Sequence, residues 1–153
     1  MTGGSTRRDA TVQAVRLAIY RAIERSGSAP SAADLARAHG LEPAIVADAF
    51  RALAEAHVIV LHPDTVDIKW APPFSAVPTA FRVRAGRLAW DAPCAWDAFG
   101  IPAALDADAR IEAACAWSGE PVACGVEHGV AYGNGLIHLL VPAAHFWDDI
   151  AYT

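Results

Sequence analysis

Cys94 and Asp97 stand three residues apart in the stretch Asp91 to Phe99, where Asp91 as a cap and Pro93 in the first turn signal the start of a helix. On a helix, that spacing puts both side chains on one face. The unsatisfied N–H groups and dipole at a helix start favour an anion over a neutral thiol, so Cys94 reads as a reactive sulfur. A thiolate is the natural ligand of a soft metal, and a carboxyl beside it takes up and returns a proton. A structural explanation fits the same pair: cysteine is often buried, and an acid in a first turn complements the dipole. Trp90 and Trp96 bracket the thiol. They read first as core packing, and also as apolar walls that would exclude water and raise the pKa of Asp97.

The remaining chemically capable residues read as structural. Ala113, Ala114, Ala116 and Trp117 around Cys115 predict a buried strand thiol, and Cys124 beside Ala123, Gly125 and Glu127 reads as another strand residue. Cys115, Cys124 and His128 lack the Cys-x-x-Cys spacing of a zinc knuckle. His138 falls at a strand position within Leu136 to Val141. Asp148 and Asp149 beside Trp147 read as solvated surface rather than a hard-cation site. Gly133-Asn134-Gly135 is a turn, because no helix start or Lys follows in the order a phosphate loop needs.

The elements that must hold these residues follow from pattern. Val12, Val15, Leu17, Ala18, Tyr20 and Ile23 predict an amphipathic helix over Ala10 to Arg25, stopped by Ser26 and Gly27. Ser31 caps a short second helix closed by His39 and Gly40, and Pro43 opens a third with Ile45, Val46, Ala49, Phe50, Leu53 and Ala54 as its buried stripe. Val58 to Leu61 and Val66 to Trp70 flank His62-Pro63-Asp64 as a hairpin. Beyond the proline-rich joint Ala71 to Ser75, strands are expected at Phe81 to Arg84, Arg87 to Trp90, Ala109 to Trp117, Pro121 to Val126 and Leu136 to Val141. Ala143 to Asp149 reads as a further helix. The fold class is α+β: a winged-helix-like three-helix module over residues 1–70, then a mixed strand and helix catalytic region over 71–153.

Composition bounds the function. The chain has 153 residues, 54% hydrophobic and 19% charged, with 11 Gly and 10 Pro, which excludes wholesale disorder. Its net charge of −5 gives no general attraction to nucleic acid or anionic lipid. Residues 1–70 carry eight basic and eight acidic side chains, and the third helix sets Glu42, Asp48 and Glu55 against Arg51 alone. Phosphates would repel such a helix, so the module reads as scaffold rather than DNA reader. No membrane span is visible, the start from Met1 to Asp9 is polar, and three cysteines without an export signal suggest reduced thiols in the cytoplasm.

The run Pro73-Phe74-Ser75-Ala76-Val77-Pro78-Thr79 with Phe81-Arg82-Val83, followed by Cys94-Ala95-Trp96-Asp97-Ala98-Phe99-Gly100-Ile101-Pro102-Ala103, resembles the organomercurial lyase (alkylmercury lyase) family. The resemblance covers most of the chain. It implies a helical N-terminal region without DNA-binding duty, an α+β catalytic region, and protonolysis of a carbon–mercury bond to a hydrocarbon and Hg(II). Cys94 matches the family's first mercury-binding cysteine and Asp97 its proton-transferring acid, with no added cofactor. Cys115 resembles a cysteine that the family treats as structural, whereas Cys124 matches no catalytic position. The implied partners are an organomercurial substrate, small thiols and a mercuric reductase that consumes a nicotinamide cofactor, with neither nucleic acid nor membrane. The family's second catalytic cysteine follows a segment similar to residues 145–153, beyond Thr153. The expectation is therefore a truncated or degenerate member with impaired turnover that still binds a mercurial at Cys94. A winged-helix regulator sensing a thiophilic metal through Cys94 is the alternative.

Overall fold

Val15, Ile19 and Ile23 recur every four residues and are all buried, giving Gly3–Ser26 (α1) an apolar seam. The computed structural model describes residues 3–152; the first two residues of the polar start, and Thr153, lie outside the described residues. Leu17, expected in the seam, is 54% exposed because it stands two residues off the four-residue row. Ser31 caps Ala32–His39 (α2) as predicted: its Oγ accepts the Asp34 N–H at 3.1 Å, and Gly40 ends the helix at φ 63°. Pro43 opens Pro43–Glu55 (α3), which packs on α1 and α2 and buries Val46, Ala49, Phe50 and Leu53. Ile45 points outward instead of joining that stripe.

Val60–Leu61 (β1) and Ile68–Ala71 (β2) form the expected antiparallel ribbon. The chain then turns through Pro72 and Pro73, joined by a cis peptide bond, straight into Phe74–Ser75 (β3). Phe81–Ala85 (β4) and Leu88–Ala92 (β5) make a tight hairpin in which Gly86 takes φ 57°, a left-handed conformation that glycine adopts without a Cβ clash. Ala95–Leu105 (α4) crosses to Ala109–Ala114 (β6), followed by Pro121–Glu127 (β7) and Val130–Gly133 (β8). Among the described residues the strands form one antiparallel sheet in the order β1-β2-β3-β5-β4-β6-β7-β8. The architecture is α+β.

Sheet register explains the core. Val83 pairs with Trp90 and Ile111, and Ile111 with Cys124, so this row points inward and is buried. The neighbouring row points outward, where Arg82 binds Asp91 at 2.9 Å and Arg84 binds Glu112 at 2.7 Å. The inward row joins Ile19, Phe50 and Ile101 from the helices in one buried cluster, and Trp90 Nε1 donates to Ile23 O at 2.9 Å.

Two expectations fail toward the end of the chain, and one strand there is unanticipated. Residues 136–141 form no strand, and Leu136 is fully exposed. The strand beyond β7 is β8, whose four residues are all exposed; backbone pairing, rather than burial of alternate side chains, makes it a strand. The helix expected over residues 143–149 shrinks to one 3-10 turn, Ala143–His145. Trp147 stacks on His57 at 4.4 Å, tying this segment back to the end of α3. No helix among the described residues is long and apolar enough to cross a membrane.

Candidate active site

Inward and outward alternation along β5 claims Asp91 for the sheet, where its carboxylate faces Arg82. It is therefore not the helix cap, and Pro93 precedes the helix rather than lying in its first turn. Cys94 itself is the cap. Its backbone is extended at φ −149° and ψ 177°, and its Sγ accepts the Asp97 N–H at 3.5 Å while its carbonyl accepts the Ala98 N–H at 3.0 Å. The thiol in turn donates to Asp97 Oδ2 at 3.3 Å. This is a capping interaction in which sulfur replaces the usual hydroxyl oxygen and the third helical residue answers with its side chain. Ala98, Ile101 and Pro102, at the i+4, i+7 and i+8 positions from Cys94, are the buried residues of the same face of α4.

Burial governs the protonation of the pair. It pushes the Asp97 carboxyl above its ordinary range, and the hydrogen bond from the thiol pulls part of the way back. Burial likewise pushes the Cys94 thiol up; the Asp97 N–H offsets some of this, the Asp97 charge adds to it, and the Trp96 N–H offsets a little more. The expected resting thiolate is thus corrected: desolvation and the neighbouring carboxyl outweigh the helix start, and sulfur holds its proton against Asp97. That proton has an acceptor 3.3 Å away.

The two tryptophans do not act as a matched pair of walls. Trp90 is 4% exposed and belongs to the core, whereas Trp96 is 64% exposed. Trp90, Phe74 and Tyr20 instead form a chain of tilted rings, with centroids 6.2 Å and 6.4 Å apart. The Tyr20 hydroxyl donates to the carbonyls of Pro72, at 3.1 Å, and Val58, at 3.3 Å. Burial raises its pKa, Arg16 opposes this, and the Asp97 charge adds to the rise, so α1 brings a phenol into the electrostatic surroundings of the site. Sequence reasoning placed Tyr20 only in the seam of α1; an aromatic residue at a seam position carries no further signal.

The other thiols lie elsewhere. Cys115 is partly exposed just beyond β6, in a turn where Gly119 N–H donates to its carbonyl at 2.8 Å. It is not a buried strand thiol: the Ala-rich neighbours leave the sheet there, and the N–H and hydroxyl of Ser118, with the N–H of Trp117, pull its pKa down. Cys124 is buried on β7, three strands from β5 in the sheet order, and burial raises its pKa. Among the described residues no group of three or more His, Cys, Asp and Glu can hold a metal ion. His138 lies in irregular chain, and Asp148 is paired with His145 at 2.9 Å. A cavity of about 570 Å³ lies toward the C-terminal end of α4, lined by residues including Phe99, Pro102, Asp106, Asp108 and His128, with neither Cys94 nor Asp97 in its wall.

Residues 74–153, just over half of the chain and including Cys94 and Asp97, match the family model MerB, alkylmercury lyase. The chain belongs to the alkylmercury lyase family. Nine chains of solved structures also match. One of them, described as "Crystal structure of the mercury-bound form of MerB2", aligns with a TM-score of 0.60 at 26% identity, covering 83% of this chain and 66% of that chain. This alkylmercury lyase family member thus spans slightly less than two thirds of the length of that relative. No curated protein matches it.

The raised Asp97 carboxyl of this family member has a consequence for stability. A carboxyl whose pKa is higher folded than unfolded contributes stability while protonated, below its ordinary value of 3.8, and that contribution is lost as pH rises through the folded value. Asp97→Asn is neutral throughout and escapes the loss. Its thermal midpoint relative to the wild-type protein should therefore increase as pH rises out of the acid range, then level off. A difference in midpoint that does not change from acid to neutral pH contradicts the assignment.

Proposed function

We propose that the chain acts as an alkylmercury lyase, cleaving the carbon–mercury bond of an organomercurial by protonolysis. The observation that carries this reading is the contact between Cys94 Sγ and Asp97 Oδ2 at 3.3 Å, inside the segment that matches the family. Mercury is soft and takes a thiolate, so R–Hg⁺ meets the Cys94 sulfur while the thiol proton passes to Asp97. That step leaves Cys94–S–Hg–R and a neutral carboxyl. Burial favours the neutral form of Asp97, which holds the proton until it reaches the carbon bound to mercury. The carbon–mercury bond breaks, R–H leaves, Hg(II) remains on sulfur, and Asp97 is a carboxylate again. Further sulfur donors push electron density through the metal toward carbon, and small thiols fill that role.

In this reading the protein works in the cytoplasm, and Hg(II) passes to small thiols or to a mercuric reductase. The N-terminal helices serve as scaffold, and Arg51, the one basic residue of α3, is already bound to Asp48 at 2.8 Å. No observation favours the regulator. The test is incubation with phenylmercuric acetate and excess small thiol, followed by measurement of benzene: release above the protein-free rate is expected. Mercurial retained without benzene would make the chain a binder and end the lyase reading.

A further inference from the structure

The motif from Pro73 to Thr79 takes no part in the chemistry proposed above, yet its residues grip the chain on both sides of Cys94. A Cβ added to Gly100 would meet Pro73 Cβ at 3.2 Å, so the Pro72–Pro73 turn lies against the second turn of α4. Phe74 packs on Trp90, and Ser75 pairs in register with Asp91. Thr79 reaches closest to the thiol along the chain. Its hydroxyl lies 2.7 Å from Ala92 O and 3.1 Å from Phe81 O, and its Oγ1 accepts the Phe81 N–H at 3.1 Å.

Phe81 and Ala92 are the last register pair of the β4–β5 ladder. The Thr79 hydroxyl takes the Phe81 N–H and gives its own hydrogen chiefly to Ala92 O, continuing the ladder through a side chain. Ala92 is wholly buried, so water cannot replace that donor at its carbonyl. Two residues later the backbone must be extended at Cys94 for the sulfur to cap α4 and meet Asp97. We propose that Thr79 is a positioning residue: its hydroxyl fixes the point where β5 leaves the sheet and thereby sets the sulfur of Cys94 against Asp97. The role builds on Cys94 as the thiol of the site, but its test uses no mercurial and is therefore independent of whether benzene is released.

The test compares full-length wild-type, Thr79→Val and Thr79→Ser proteins, alkylated with iodoacetamide under native conditions and followed at each cysteine by peptide mass mapping. The three thiols make the readout specific. Cys115 reports reagent reactivity, and buried Cys124 on β7 reports loosening of the whole sheet. In Thr79→Val, alkylation of Cys94 should accelerate by roughly fivefold, the factor that one lost hydrogen bond represents, with Cys124 unchanged. Thr79→Ser, which keeps the hydroxyl, should return Cys94 to the wild-type rate. The proposal is overturned by an unchanged Cys94 rate in Thr79→Val, by Cys94 and Cys124 accelerating together, or by Thr79→Ser behaving as the valine variant. Failure of Thr79→Val to fold, judged by circular dichroism, overturns it too, since the hydroxyl would then hold the sheet at large rather than the exit toward Cys94.

Discussion

On the proposed mechanism, Asp97→Asn should retain a mercurial at Cys94 but release hydrocarbon more slowly by a factor on the order of 10² to 10⁴, the range associated with loss of a positioned general acid. The carboxamide has nearly the same shape. The Asp97 backbone N–H still reaches sulfur, and the amide oxygen can still accept from the thiol at the position of Oδ2. What the amide lacks is the capacity to take up that proton and give it to carbon. Single-turnover hydrocarbon release, measured alongside bound mercury, separates the two functions. Release at the wild-type rate would remove Asp97 from the mechanism.

Cys94→Ser should lose both the mercurial held at position 94 and all hydrocarbon release above the uncatalysed rate. A hydroxyl can donate to Asp97, but it is a hard oxygen ligand and a poor match for mercury. Cys115 complicates a simple binding assay, because its partly exposed thiol, acidified by Ser118, offers a second place for a mercurial to rest. Bound mercury should therefore fall by the amount carried at Cys94, with the Cys115 share unchanged, when each peptide is mapped by mass. Wild-type retention at position 94 in the serine variant is impossible without sulfur, so the informative contrary result is undiminished hydrocarbon release, which would move the reacting thiol elsewhere.

The parts of the fold legible in the sequence are those where local chemistry and tertiary packing agree. Ser31, Gly40 and Pro43 mark the ends of α2 and α3 through backbone groups that only certain residues satisfy, and Gly86 marks its hairpin by its left-handed turn. The i, i+3 spacing of Cys94 and Asp97 places them together even though α4 starts later than the sequence predicts. Asp91 and Pro93 make a convincing cap signal, but pairing with β4 outweighs it and moves the cap to Cys94. Beyond β7 the usual signal inverts: Leu136, Leu139 and Leu140 are apolar yet exposed, whereas β8 forms without burying any residue. The protonation of the thiol departs from the sequence expectation for another reason. A helix start is visible in a sequence, and so is a rise at Asp97, but the burial of the Cys94 thiol, which outweighs the helix start, is set by the fold.

Sulfur is a weak acceptor for the N–H it caps at the start of α4, where a serine oxygen would approach more closely and bond more strongly. Folding by itself therefore favours serine at position 94, and Cys94→Ser should melt no earlier than the wild-type protein. A library of this chain sorted for soluble expression or heat tolerance would drift toward serine here and lose the thiol on which the proposed chemistry depends without any visible defect. Engineering for robustness must hold this position fixed by assay.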